Sequence, residues 1–160
     1  MQGSATVSMA APADKIWDLI ADVRNTGRFS PEVFEAEWLG GATGPALGAR
    51  FRGHVKRNEM GPVYWTTCRV TACEPGREFG FDVLVGDTAA NTWHYRLTPV
   101  DGGTEVTEFW VDRRSRGAYR LGRIFTGRSV QMRPEVNRDG MRRTLQRLKA
   151  ELETEPPTAD

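Results

Sequence analysis

The chain has 160 residues, 39% of them hydrophobic, and its 22 basic and 21 acidic residues leave a net charge of +1. That length is one domain's worth and buries a core without disulfides or metal, and no apolar run approaches the ~20 residues a membrane-spanning helix needs. The charge is split: Arg113 to Lys149 holds eleven Arg and one Lys against Glu135 and Asp139, a net +10, while the remainder carries −9. Such a split can mark a nucleic-acid or anionic-membrane partner. Without a nucleic-acid motif or interleaved exposed aromatics it reads as the solvent face of an arginine-rich helix over an acidic sheet, and no nucleic-acid partner is expected.

In chain order, Ala5–Ala11 alternates Val7 and Met9 with Thr6 and Ser8, a short half-buried strand. Pro12 opens a helix with Asp14 in its first turn, and Ile16, Trp17, Leu19 and Ile20 form its buried face. Asp22–Ser30, with Asn25 and Gly27, breaks into a second, shorter helix that Pro31 closes. Strands follow at Val33–Leu39, at Ala49–Arg57 with a turn at Gly61-Pro62, and at Val63–Cys73, the last rich in Tyr, Trp, Thr and Val. Glu78–Val85 and Thr92–Pro99 come next, and Thr92–Pro99 sets Trp93, Tyr95 and Leu97 against His94, Arg96 and Thr98. Asp101-Gly102-Gly103 is the strongest hairpin signal, and Thr104–Val111 returns as the last strand. Cys68 and Cys73, the only cysteines, share a strand at a separation of roughly 16 Å, beyond the ~7 Å limit for a bridge, and read as reduced thiols.

Gly117–Phe125 reads as a helical turn or two with a bend at Gly127. One long amphipathic helix then runs from Val130 to Leu152, with Val136/Asn137, Met141, Leu145, Leu148 and Leu152 on one face and the arginines largely off it. Pro134 marks its first turn or kinks it. Asn137, Gly140 and Thr144 put small or polar groups where a plain core would present Leu, which suggests a covered cavity. The domain is expected to span 1–154, with 155–160 a disordered tail. The N-terminus lacks the basic start and apolar core of a signal peptide, so a cytoplasmic location is expected. The order of elements is α+β, an antiparallel sheet curling round one helix.

Four stretches carry a resemblance to a known family: APADKIWDLIADVRN, FSPEVFEAEWLGG, WHYRLTPVDGGTEVTEFWVDRR and NRDGMRRTLQRLKAEL. Their order and spacing resemble the START-like or SRPBCC superfamily, and within it the polyketide cyclase/dehydrase-like branch. The one visible departure is Phe29, where a Trp would precede Ser-Pro-Glu. The resemblance implies a helix-grip fold: a curved sheet of about seven antiparallel strands around a long C-terminal helix, with two short helices after the first strand. It also implies a concave face bearing Trp38, Phe51, Phe79, Phe81, Trp93 and Tyr95, fit for an apolar pocket of roughly 300–1,000 Å³.

Glu108 is the sharpest candidate for chemistry. Alternation groups Val106, Glu108 and Trp110 against Glu105, Thr107, Phe109 and Val111; both sets are mixed, and a one-residue slip reverses them. Only the family's Val-Thr-Glu pattern points Glu108 inward, where burial would raise its pKa and suit it to proton transfer or ligand anchoring. Asn137 would face the same cavity, its amide needing a partner in Glu108, a water or a ligand. The expected ligand-binding set is Phe29, Trp38, Phe51, Phe81, Trp93, Tyr95, Glu108, Trp110, Asn137 and Met141. His54 and His94 read as solvated strand residues, and Gly40, Gly41 and Gly44 as a mobile loop that gates the pocket. No metal site or cofactor is expected, since two His and two distant Cys give no ligand spacing, and no catalytic triad or dinucleotide fingerprint is present.

These residues favour binding of a small hydrophobic, lipid- or polyketide-like molecule by a monomer or homodimer. The alternatives are a polyketide cyclase/dehydratase-type enzyme using Glu108 as acid/base, and a module that meets a partner or an anionic membrane through the basic 113–149 region.

Overall fold

Strand alternation, set by the two-residue turn at Asp101-Gly102, decides which side chains leave the solvent. Gly102 takes φ 78°, a conformation open to glycine at little cost, and Val100 then pairs Gly103, Leu97 pairs Val106 and Tyr95 pairs Glu108. Tyr95, Leu97, Val106, Glu108 and Trp110 are all buried on one face. The computed structural model describes residues 1–56, 62–114 and 134–154. Its elements are β1 (Gln2–Met9), α1 (Ala13–Ala21), a 3-10 turn at Val23–Asn25, α2 (Thr26–Phe29), β2 (Val33–Leu39), β3 (Arg50–Lys56), β4 (Val63–Glu74), β5 (Glu78–Val85), β6 (Thr88–Val100), β7 (Gly103–Asp112) and α3 (Pro134–Thr154). The seven strands form one antiparallel sheet in the order β1-β7-β6-β5-β4-β3-β2. This is the expected α+β helix-grip arrangement.

Some boundaries differ from the sequence reading. β1 covers Gln2–Met9 rather than Ala5–Ala11, because the chain turns where the Thr104 hydroxyl donates to the Ala11 carbonyl at 2.8 Å and Pro12 caps α1. The second helix is divided: Asp22 accepts from the Arg24 backbone N–H to start the 3-10 turn, and α2 follows as four residues. β6 begins four residues earlier than expected, at Thr88. The helical turns at 117–125, the bend at Gly127, the helix start at 130–133, Gly61 of the expected turn, most of the basic 113–133 stretch and the tail 155–160 lie outside the described residues.

The core sits between the sheet and the helices. In α1 the residues Ile16, Trp17, Leu19, Ile20 and Ala21 are buried, and the Trp17 indole donates to the Glu78 carbonyl at 3.0 Å, which pins the helix to β5. Met141, Leu145 and Leu148 of α3 are buried and Leu152 is half-buried against the same cluster. Val136 points to solvent, while Asn137 lines the inner face of that turn of the helix.

Polar ties clamp α3 in place. Lys149 Nζ donates to the Ser8 carbonyl at 2.9 Å, and Glu153 accepts from the Ala10 N–H at 3.0 Å. Arg28 of α2 pairs with Glu151, and Arg147 donates to the Ser30 carbonyl at 3.2 Å. Both histidines are more tightly held than the sequence suggested. His54 stacks on Trp65 with centroids 4.2 Å apart and bonds Glu35 at 2.6 Å, while His94 is half-buried beside Glu78. Burial lowers the His94 pKa.

Candidate functional site

A cavity forms where neither the helix nor the sheet fills the space between them. Towards its C-terminal end α3 presents Leu145 and Leu148, which pack solidly. Towards its N-terminal end it presents Asn137, Gly140, Met141 and Thr144, opposite Ala36, Gly53 and Thr66 of β2, β3 and β4. A Cβ built on Gly140 meets no atom within 4 Å. The result is a cavity of about 150 Å³, smaller than the pocket expected from the aromatic strands. A space of that size takes a molecule such as benzene.

Of the expected residues, Phe29, Phe51, Phe81, Trp93, Tyr95, Glu108, Asn137 and Met141 line this cavity, with Phe79 beside them. Two do not. Trp38 lies on the same face of β2 as Ala36 but beyond the cavity's end, its ring edge-on to Phe51 at 5.7 Å and its indole near Asp22. Trp110 is wholly buried opposite Gly3 of β1, tilted against Trp93 at 6.4 Å, and belongs to the packed core. Strand parity identifies inward residues but not whether they meet core or cavity. The Gly40–Gly44 loop contributes no residue to the wall.

Glu108 is the electrostatic centre of the cavity. Glu108 is only 3% exposed, and its Oε1 accepts from the Tyr95 hydroxyl at 2.8 Å. Oε2 is buried with no hydrogen-bond partner among the described residues. Burial pushes the Glu108 pKa up to about 8, the Tyr95 hydrogen bond works against that, and the negative charge of Glu32 adds to it. Near neutrality the group is therefore largely a neutral acid with one proton to donate. Tyr95 is itself raised well above its usual value by burial and by its carboxyl neighbour. Thus Glu108 meets Tyr95 directly across the strands, while Asn137 lines the same cavity from α3.

The sequence reading missed several wall residues, Glu32, Tyr64, Thr66 and Asn91 among them, whereas Thr144 was read beside Asn137 and Gly140 as facing a cavity. Asn91 is buried and accepts from the Trp93 indole at 3.0 Å; it lies in the part of β6 not recognised as strand. Tyr64 and Thr66 alternate with Trp65, and that parity was the available signal. Thr144 satisfies its hydroxyl on the Gly140 carbonyl at 3.1 Å. Cys68 also faces the cavity, but burial pushes its thiol up to about 12, so it is an inert wall. Both cysteines are free, and among the described residues no cluster of three metal ligands exists.

A curved antiparallel sheet holding one long helix over a lined cavity defines a helix-grip domain of the START-like, SRPBCC type. A family model described as polyketide cyclase / dehydrase and lipid transport matches residues 2–153, and the chain belongs to that family. Solved structures share the fold. The Polyketide_cyc-like protein Cgl2372 from Corynebacterium glutamicum is 27% identical, with a TM-score of 0.60 over 95% of this chain and 91% of that one. Protein CV1439 from Chromobacterium violaceum superimposes with a TM-score of 0.71 at 14% identity, over 96% and 99% of the two chains. DR_A0006 from Deinococcus radiodurans gives 0.64 at 20% identity, over 94% and 96%. No curated protein matches the chain in sequence. Among the described residues, no helix is long and apolar enough to cross a membrane.

Proposed function

We infer that the chain binds one small, largely hydrophobic molecule in the cavity between the sheet and α3. The observation that carries this reading is an aromatic-walled space containing a buried carboxyl oxygen with no partner among the described residues. A buried polar atom left unpaired costs about 1–3 kcal/mol, and a ligand that supplies its partner recovers that cost. The volume of about 150 Å³ suits a ring-sized body or a short chain. The family's description, which joins cyclase/dehydrase activity with lipid transport, is compatible with a hydrophobic ligand.

One feature favours catalysis as a second reading. A carboxyl whose pKa lies at about 8 is matched to proton transfer near neutrality. In that reading the ligand is a polyketide-like or other enolisable substrate, and Glu108 gives a proton to, or takes one from, the reacting centre. Glu108→Gln would then abolish turnover while leaving binding largely intact.

Gly140→Leu tests the binding reading without touching Glu108. Leu is a far better helix former than Gly, by about 1 kcal/mol, and at this position its side chain enters open space. The variant is expected to match or exceed the wild-type Tm while weakening binding of isopropylbenzene, followed by NMR titration, at least tenfold. Unchanged affinity in a folded variant would place the ligand elsewhere.

A further inference from the structure

The chemistry of the wall limits which hydrophobic molecules fit. Among the described residues lining the cavity there is no Lys, Arg or His, and the two charged types present are the carboxyls of Glu32 and Glu108. A second anion, such as the head of a free fatty acid, would sit beside the buried Glu108 carboxyl, and the described residues of the wall offer it no cation. A ligand with no polar atom would leave Glu108 Oε2, nine-tenths buried and more, still unpaired. The opposite oxygen is already occupied by the Tyr95 hydroxyl at 2.8 Å. That leaves Oε2 as the oxygen of the group with no partner among the described residues.

We propose that the cavity selects a neutral molecule carrying a carbonyl-type acceptor oxygen, held by Glu108 Oε2–H while its apolar body lies against Phe29, Phe51 and Met141. This rests on the cavity being the binding site. The proton that makes Oε2 a donor is kept by the burial that raises the Glu108 pKa to about 8. The groups facing it that bear on its charge are Tyr95 from β6 and Glu32 from the segment before β2, and described α3 residues on the wall, Asn137 and Thr144 among them, bring no charge.

Four probes of matched size separate the possibilities: acetophenone (neutral acceptor), isopropylbenzene (no polar atom), benzoate (anion) and benzamidine (cation). At pH 7 acetophenone is expected to bind about tenfold more tightly than isopropylbenzene, the worth of one net hydrogen bond, with benzoate and benzamidine weaker than both. The acetophenone advantage should disappear above pH 8 as the proton leaves. Glu108→Leu should abolish the advantage while keeping isopropylbenzene binding. Glu108→Gln, whose amide donates at every pH, should retain it at pH 9, and this covers the case in which the Leu variant does not fold. Equal or tighter binding of isopropylbenzene, or preference for benzoate or benzamidine at pH 7, overturns the proposal while leaving the cavity as the binding site. Failure of all four to bind removes the binding reading and the proposal with it.

Discussion

Replacing Glu108 by Gln is expected to leave stability near its wild-type value at pH 5 and to raise it by a few kcal/mol at pH 9. The folded carboxyl titrates at about 8 against an ordinary value of 4.5. Between those two values the unfolded chain has released this proton and the folded chain has kept it. The stability associated with the neutral acid is thus fully present below about pH 4.5, falls as pH rises, and is lost as pH passes through about 8. Above that pH the folded state holds a buried anion that the Tyr95 hydroxyl compensates, with no cation on the cavity wall among the described residues. Gln keeps the Tyr95 hydrogen bond, cannot ionise and so escapes the loss. Urea unfolding of both proteins at pH 5, 7 and 9 reads the effect as a widening gap. Parallel curves across that range would mean that Glu108 is ionised in the folded protein at neutral pH, contrary to its burial.

The second large effect falls on a glycine beside the cavity. Gly27 lies in α2 with its backbone against the start of β2, and a Cβ added there would come under 3.0 Å from the Phe34 carbonyl oxygen and carbon, both backbone atoms. Helix propensity alone would favour Ala by about 1 kcal/mol, but the clash is with main chain that cannot rotate away. Gly27→Ala is expected to cost about 2–3 kcal/mol, at the upper end for overpacking. For a chain of this size that lowers Tm by roughly 5–10 °C. The displacement would act on Phe29 and Ser30, which line the cavity, and on the Arg147–Ser30 tie to α3. A thermal melt showing an unchanged or higher Tm would contradict this packing of α2 on β2.

These residues also show which parts of the molecule were legible in the sequence. The order of strands and helices was readable because turn residues punctuate the strands and β6 sets Trp93, Tyr95 and Leu97 against His94, Arg96 and Thr98. The side chain of Glu108 was left undecided by its own strand, since Trp110 and Phe109 compete for the interior. The decision came from the neighbouring strand: a two-residue turn at Asp101-Gly102 fixes Tyr95 opposite Glu108, and Tyr95 shares its face with Trp93 and Leu97. Trp38 and Trp110 illustrate what local pattern does not carry. Both lie on inward-facing positions, yet the extent of the cavity depends on where α3 changes from Gly140 to Leu145 and on how far the sheet has curled beneath it. Asn137 lines the cavity from α3, whereas the partner of its amide depends on a depth across the cavity that periodicity does not provide.

The account stands on the space between the sheet and the N-terminal half of α3 being a binding site. A crystal structure of the wild-type chain grown with isopropylbenzene tests it most directly. The expected result is density for one molecule bounded by Phe29, Phe51, Phe81, Trp93 and Met141, beside an unmoved Tyr95–Glu108 pair. An interior closed solid by repacked side chains, with the hydrocarbon instead on the outer face around Phe34 and Trp65, would contradict it.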